Sequence, residues 1–193
     1  MKKLRLGFTG TKDGMDVNQK ADFVVLLTRL VAEYDEIEFH HGDCIGADAQ
    51  AARLVDNIRR ALIKHFGPNP SCRVTIIAHP GYIVGKPDDT RYRAFSDTNI
   101  FTIVREPKPF IARDRDIVDE TDELVATPLT REEQVQSGTW TTVRYARKKK
   151  KPVTIINPVG STFDPHALPP QRTNAVSGET PLYGPTHRTR GIR

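Results

Sequence analysis

Apolar residues alternate along the chain between short runs and longer stretches with helical spacing. Short β-prone runs at residues 4–9, 36–41 and 74–78 predict three strands. Between them, apolar positions recur every three or four residues over 16–34 and again over 47–66. This spacing places them on one face of a helix, so the first half of the chain predicts a β-α-β-α-β order.

The second half is less regular at first. Residues 82–112 are polar and contain Pro87, Pro107 and Pro109, which indicates an inserted excursion with one short helix near residues 92–103. Regular spacing then returns. It predicts a short helix, a strand, a further helix and a last strand, at residues 113–121, 123–126, 139–149 and 153–156.

Five strands that alternate with helices are typical of an α/β fold. We therefore predict a three-layer Rossmann-like domain over residues 1–157, with a mainly parallel five-stranded sheet in the order 3-2-1-4-5. Residues 158–193 carry six of the 14 prolines and several arginines without an apolar period, and we expect an extended or disordered tail there.

Composition limits the class of protein. With 193 residues, 37% hydrophobic and 27% charged, the chain suits one soluble domain, and no run reaches the roughly 20 apolar residues of a membrane span. Met1-Lys2-Lys3 leads directly into the first strand, which predicts no signal peptide and a cytoplasmic location. Two cysteines are too few for a disulfide framework. A net charge of +5 favours anionic ligands, but it is too small to predict nucleic-acid binding.

Ligands of such sheets bind beyond the carboxyl ends of the strands, and a loop of small residues stands there before the last predicted helix, at residues 139–149. Ser137, Gly138 and Thr139 open that helix, so their free backbone amides and hydroxyls suit a phosphate group. A plain helix cap is the alternative interpretation of the same residues.

Two earlier loops carry similar residues. Gly10 and Thr11 follow the first strand, and a glycine-rich turn follows the second, with candidate ligand-binding residues Gly42, Asp43, Gly46, Ala47 and Asp48. Glycine and alanine permit close approach of the backbone to a ligand. Asp48 suits a ribose hydroxyl or a base edge, although an aspartate at this position also caps a helix.

Arg113 follows the excursion and is a candidate phosphate clamp, since a guanidinium binds phosphate with two hydrogen bonds. A surface ion pair with a nearby aspartate is the alternative. Trp140, the single tryptophan, is more typical of a core residue than of a base-stacking platform. His40 and His41 are neighbours on a strand and point to opposite faces, and His79 is a lone histidine after the third strand, so we predict no metal site. We also predict no cofactor.

Three blocks of the chain resemble the SLOG superfamily of Rossmann-like proteins, most of all its YspA-like branch. They are Phe8-Thr9-Gly10-Thr11, the segment His41-Gly42-Asp43-Cys44-Ile45-Gly46-Ala47-Asp48, and Arg113-Asp114-Arg115-Asp116 continuing to Ser137-Gly138-Thr139. The superfamily also includes LOG-type phosphoribohydrolases, molybdenum-cofactor carrier proteins and the DNA-processing protein DprA. The resemblance spans residues 4–157.

This resemblance implies a nucleotide-derived ligand across the loops, held by a homodimer. It also bears on catalysis, because LOG-type enzymes use a glutamate three residues after the Gly-Thr pair, together with an arginine. Here Gly138-Thr139 matches the pair, but Thr142 stands at the glutamate position. Arg113 and Asp48 are then the remaining candidates for a catalytic role.

Three functions stay open. The chain is predicted first as a binding protein that senses, carries or sequesters a nucleotide or a nucleotide-derived molecule. The second is an N-glycosidase or related hydrolase, which would need a carboxylate from Asp48, Asp43 or the excursion. The third is a DprA-like binder of single-stranded nucleic acid, which rests on positive charge and which we do not expect.

Overall fold

The computed structural model describes residues 1–68, 70–87, 92–94 and 103–158. In this part of the chain, a parallel sheet of six strands lies between two pairs of helices. Its strands are β1 (Lys3–Gly10), β2 (Glu36–His41), β3 (Arg73–Ala78), β5 (Ile103–Val104), β7 (Glu123–Thr127) and β8 (Val153–Ile155). The helices are α1 (Val17–Glu33), α2 (Ala47–Phe66), α3 (Phe110–Glu120) and α4 (Gly138–Lys148).

The strand order is β5-β3-β2-β1-β7-β8, and each pair is parallel. The five predicted strands therefore occur in the predicted order, and the α/β class is confirmed. The sheet differs from the prediction by a sixth strand, the two-residue β5 at the edge. β5 was missed because so short a pair has no periodicity of its own.

The register places the loops that matter side by side. Gly7 of β1 is opposite His40 of β2, and Gly10 is opposite Thr127 of β7. The strand order changes direction at β1, which lies between β2, the next strand along the chain, and β7, from the second half of the chain. The carboxyl ends of β1, β2 and β7 therefore meet at the point where parallel sheets usually bind ligands.

Two hydrophobic clusters hold the three layers together. On one face, α1 and α2 cover a core centred on Phe8, Phe23 and Phe39, whose ring centroids lie 5.3–6.1 Å apart. On the other face, α3 and α4 cover a smaller cluster that contains Ile117 and Trp140. Trp140 is therefore a core residue, as predicted, because the first turn of α4 lies directly over β7.

The excursion at 82–112 has little regular structure where it is described. β4 (Gly81–Tyr82) and β6 (Lys108–Pro109) form a two-stranded sheet, and residues 92–94 lie against the loop after β2. The helix predicted near 92–103 is not present at 92–94 or at 103, and residues 95–102 lie outside the described residues. α3 begins three residues earlier than predicted, at Phe110, directly after Pro109.

The tail predicted at 158–193 lies outside the described residues from position 159 onward. Among the described helices, none has both the length and the apolar character needed to cross a membrane.

Candidate functional site

A cavity of about 620 Å³ opens at the carboxyl edge of the sheet, between the loops after β1, β2 and β7. The excursion contributes Ile83 and Tyr92 to its wall, and α3 contributes Phe110 and Arg113. Seven of the predicted ligand-binding residues line it: Gly10, Thr11, Asp48, Arg113, Ser137, Gly138 and Thr139. The sequence therefore identified three separate loops that converge on one space.

The other four predicted residues lie behind this wall. Ala47 is fully buried, and its amide donates to the Thr11 carbonyl at 2.9 Å. Asp43 is buried and accepts from Arg93 Nε at 2.7 Å, which holds the excursion against the loop after β2. Gly42 and Gly46 complete the set. They have no side chain, which leaves space for neighbouring groups next to the cavity.

Gly42 and Gly46 are required by their surroundings. A Cβ on Gly42 would overlap the Arg113 guanidinium and the Asp48 carboxylate. Gly46 has φ of +89°, a backbone conformation that strains any residue with a side chain, and a Cβ there would also meet the Lys12 carbonyl. The two glycines therefore allow the loop after β2 to pass close to Arg113 and to the loop after β1.

The N-terminus of α4 faces the cavity. The Ser137 hydroxyl accepts from the Trp140 amide at 3.3 Å, which caps the helix as the alternative interpretation predicted. This cap leaves the amides of Gly138 and Thr139 for a ligand. A Cβ added to Gly138 would meet nothing within 4 Å, so the space in front of this turn is open. Capping and ligand binding are compatible here.

Arg113 is a buried cation in the wall of the cavity, with 5% of its surface exposed. Its Nε lies 3.0 Å from Asp114 Oδ1, and its Nη1 lies 3.8 Å from Asp48 Oδ2. Nη1 also donates to the His79 carbonyl at 3.3 Å. Burial alone would lower the pKa of Arg113, but Asp114, Cys44 and Asp48 raise it above its ordinary value. The side chain stays charged.

Asp48 is a buried acid that changes its protonation state near neutral pH. Burial raises its pKa, and Arg113 together with the amides of Cys44 and Gly42 lowers it, so that the pKa is about 7. A carboxyl group with this pKa exchanges its proton near neutrality, as general acids and bases require. The cap function predicted as an alternative is not what its contacts show, because its oxygen accepts from Cys44 and Gly42 in the preceding loop.

Asp114 is a functional candidate that the sequence did not single out. It lines the cavity beside Arg113, burial raises its pKa, and its carboxylate is hydrogen-bonded to Thr142. Thr142 occupies the position where the resemblance leads one to expect a glutamate. The residue next to Arg113 therefore supplies a carboxylate close to the place where α4 lacks one.

Cys44 also lines the cavity, and its Sγ accepts from Arg113 Nη2 at 3.3 Å. Burial raises the pKa of this thiol to about 11, so it stays protonated at neutral pH. A protonated thiol is a poor nucleophile, and Cys44 acts here as a partner of Arg113.

Aromatic and polar residues of the wall were also missed by sequence reasoning. Phe110 lies 5.5 Å from the Arg113 guanidinium carbon, and its ring meets Tyr92 edge-on with centroids 6.1 Å apart. Lys12 and Gln134 add polar groups at the rim. Lys12 could have been found from the sequence, because it lies between Gly10 and Gly14 in a turn that was already assigned to the site. Tyr92 and Gln134 lie on irregular segments, where spacing predicts nothing, and Phe110 opens α3 before the helix start that the sequence predicted.

His40 and His41 do point to opposite sides of the sheet. His41 lies parallel to the Phe39 ring on the α1–α2 side, whereas His40 approaches His79, the residue after β3, on the side of α3. The prediction of no metal rested on the adjacent pair and on His79 being a lone loop histidine, and it did not place His79 beside His40.

Comparisons with known proteins support the fold. No protein-family model matches the sequence, and neither does any curated protein. Among solved structures, the chain is similar to the molybdenum cofactor binding protein from the phototrophic bacterium Rippkaea orientalis, with a TM-score of 0.52 and 16% identity over 81% of this chain and 78% of that one. This likeness shows a shared fold.

A second solved structure, the structural-genomics target TM1055, matches with a TM-score of 0.47 and 15% identity, over 79% of this chain and 72% of that one. A similarity this low carries no argument about function. The YspA-like branch, the ligand and the homodimer therefore stay predictions.

Proposed function

We propose that this protein binds a nucleotide or a nucleotide-derived small molecule, with the phosphate at the N-terminus of α4. The observation that carries the proposal is the convergence of a buried cation, Arg113, and the open first turn of α4 on one cavity. A buried guanidinium is costly unless it is paired. Arg113 has carboxylate partners on two sides, and its place in the cavity wall suits a third anionic partner.

The cavity has separate polar and apolar parts. The phosphate is expected to accept from the amides of Gly138 and Thr139, with help from the positive end of the α4 dipole. The base is expected to contact the apolar wall formed by Ile83, Tyr92 and Phe110. A volume of about 620 Å³ falls within the usual range for small-molecule sites, about 300–1,000 Å³. A nucleoside monophosphate suits this size.

A second candidate function is an N-glycosidase acting on a nucleoside monophosphate or a dinucleotide derivative. Two observations favour it: Asp48 has a pKa of about 7, and Asp114 supplies a carboxylate beside Arg113. In such a reaction, one carboxylate would take a proton from water, whose oxygen would form the new bond to the ribose C1′. The base would leave with a proton from the other carboxyl group, while Arg113 would hold the phosphate or ribose oxygens. The substitution at Thr142 is why binding remains the first proposal.

We also propose that two copies of the chain associate through α3 and α4. Ile111 is 60% exposed on α3, beside a shallow groove that also contains Tyr145 of α4. A single exposed apolar side chain is common on protein surfaces. The dimer itself is the expectation from the resemblance, and this groove is the surface of α3 and α4 that we assign to it. Light scattering during gel filtration tests this, since Ile111→Glu should convert a dimer into a monomer.

A ligand screen tests the proposed function. Thermal shift is measured with AMP, ADP-ribose, NAD and cyclic nucleotides, and mass spectrometry follows each mixture for free base and ribose phosphate. Stabilisation without turnover supports the binding protein, and release of base supports the enzyme. If no nucleotide raises the melting temperature, the assignment of the cavity is wrong.

A further inference from the structure

Three potential metal ligands meet outside the cavity, in the part of the chain that the structure describes. His40 lies on β2, His79 follows β3, and Glu120 is the last residue of α3. His40 is 1% exposed and His79 is 2% exposed, whereas the Glu120 side chain is partly open to solvent. The cluster is therefore built from buried nitrogen donors, with one side through which an ion could enter.

The distances suit a small divalent ion. His40 Nδ1 lies 3.0 Å from His79 Nε2 and 3.8 Å from Glu120 Oε2, and the three ligand atoms all lie within 4.8 Å of one another. Two ligands of a tetrahedral zinc ion, each at the usual bond length, are separated by about 3.4 Å. The observed separations lie on either side of this value, so small side-chain rotations suffice to bind an ion.

The donors also have the right chemistry. Two imidazoles and one carboxylate form a common zinc set that leaves a fourth position for water, whereas Mg²⁺ and Ca²⁺ prefer oxygen ligands throughout. Each neutral imidazole offers one ring nitrogen with a lone pair. His40 Nδ1 and His79 Nε2 share one proton in their hydrogen bond, so zinc binding requires this proton to move to the other nitrogen of the ring that carries it.

We propose that His40, His79 and Glu120 bind one Zn²⁺ ion, which ties the ends of β2, β3 and α3 together. None of the three lines the cavity, so the proposal does not depend on nucleotide binding. Arg105 is the competitor in the metal-free protein, because its Nη2 lies 2.8 Å from the same Glu120 oxygen. Zinc binding requires Glu120 to exchange this guanidinium for the ion.

Isothermal titration of tag-free, chelator-treated protein with ZnCl₂ tests the site, with MgCl₂ as the contrasting ion. We expect one Zn²⁺ per chain and no measurable Mg²⁺ binding. Glu120→Gln should weaken zinc binding at least about tenfold, because it removes a ligand while keeping the size of a partly exposed side chain. Co²⁺ should give visible absorption bands in the wild type that Glu120→Gln and His79→Gln abolish.

Two further variants sharpen the test. Arg105→Gln should strengthen zinc binding several-fold, since it removes the competing cation. His65→Ala, which deletes an exposed histidine on α2, should leave the affinity unchanged. The proposal is wrong if the wild type takes up no zinc, which would leave the two histidines as a hydrogen-bonded pair. It is also wrong if Glu120→Gln and His79→Gln bind zinc as tightly as the wild type.

Discussion

Arg113 Nη1 lies 3.8 Å from Asp48 Oδ2, and both side chains are almost completely buried beside the cavity. The pair joins α3 to α2 across the loop after β2, where Gly42 leaves the space in which they meet. The pKa of Asp48 stays near 7 because burial outweighs the attraction of the guanidinium. The net charge at the wall of the cavity therefore changes within the physiological pH range.

The free energy of unfolding should therefore depend on pH through the ionisation of Asp48. The folded-state pKa of Asp48, about 7, is above the model-peptide value of 3.8, so the folded state holds a proton that the unfolded state has released between these values. The contribution of Asp48 is present below pH 4 and is lost as pH rises through 7, by about 4 kcal/mol in total. Asp48→Asn keeps an uncharged side chain and should lack this loss.

Urea unfolding of both proteins at pH 4.5, 6.0, 7.5 and 8.5 measures the effect. The quantity compared is the difference between the two free energies of unfolding. Buried His41, whose pKa is lowered to about 3, makes both proteins more stable as pH rises, and the difference cancels this common effect. We expect the difference to shift in favour of Asp48→Asn as pH rises. A difference that is constant with pH would show that Asp48 has an ordinary pKa.

Gly138→Asp should abolish phosphate binding without loss of stability. An aspartate at the first position of α4 repels an anion at the helix N-terminus, yet it interacts favourably with the helix dipole, by about 0.3–1 kcal/mol. Val17→Asp is the matched control, because it adds the same charge at the first position of α1, away from the cavity. Titration calorimetry should show unchanged affinity for Val17→Asp. Equal loss of affinity in both variants would indicate a general charge effect.

Gly42→Ala should displace Arg113 and weaken both the fold and ligand binding. A methyl group at this position overlaps the guanidinium, and overpacking of this kind typically costs about 1–3 kcal/mol. Gly138→Ala is the control, since its methyl group would meet nothing within 4 Å. Thermal unfolding without ligand should show a lower melting temperature for Gly42→Ala alone. A stable Gly42→Ala protein with normal affinity would contradict the assigned role of Arg113.

Base release by the wild type separates the two candidate functions, and Asp114→Asn tests the role of this carboxylate if release occurs. We expect the wild type to bind a nucleotide without releasing base, as judged by mass spectrometry after prolonged incubation. If base is released, Asp114→Asn should lower the rate by about 10²-fold or more, because general acid–base groups contribute that much. The nucleotide affinity should not fall, because the variant keeps Arg113 and removes a negative charge beside the phosphate. An unchanged rate would exclude Asp114 from the chemistry.

Much of the fold could be predicted because the strands and helices have clear periods. The helix predicted at 47–66 begins and ends where α2 does, since Gly46 and Gly67 flank a continuous apolar stripe. Converging loops were also predictable, because the order of strands in a parallel sheet brings the ends of β1, β2 and β7 together.

What could not be predicted depends on contacts between distant segments. The approach of His79 to His40 needs the pairing of β2 with β3, and the hydrogen bond between Asp114 and Thr142 needs the packing of α3 on α4. Residues of the excursion, such as Tyr92, reach the cavity through bridges to the loop after β2, which no local pattern encodes. The spacing of apolar residues predicts the buried face of a helix and the ends of each element. Which side chains meet across two elements is known only from the assembled fold.

Calorimetric titration of the wild type with the 5′-monophosphates of adenosine, guanosine, cytidine and uridine, each compared with its nucleoside, tests the proposed function most directly. Hydrogen bonds from the amides of Gly138 and Thr139, with the nearby charge of Arg113, should make the phosphate essential. At least one monophosphate should therefore bind about 100-fold more tightly than its nucleoside, a difference of about 2.7 kcal/mol. Equal affinity for a nucleotide and its nucleoside, or no binding of any monophosphate, would contradict the proposal.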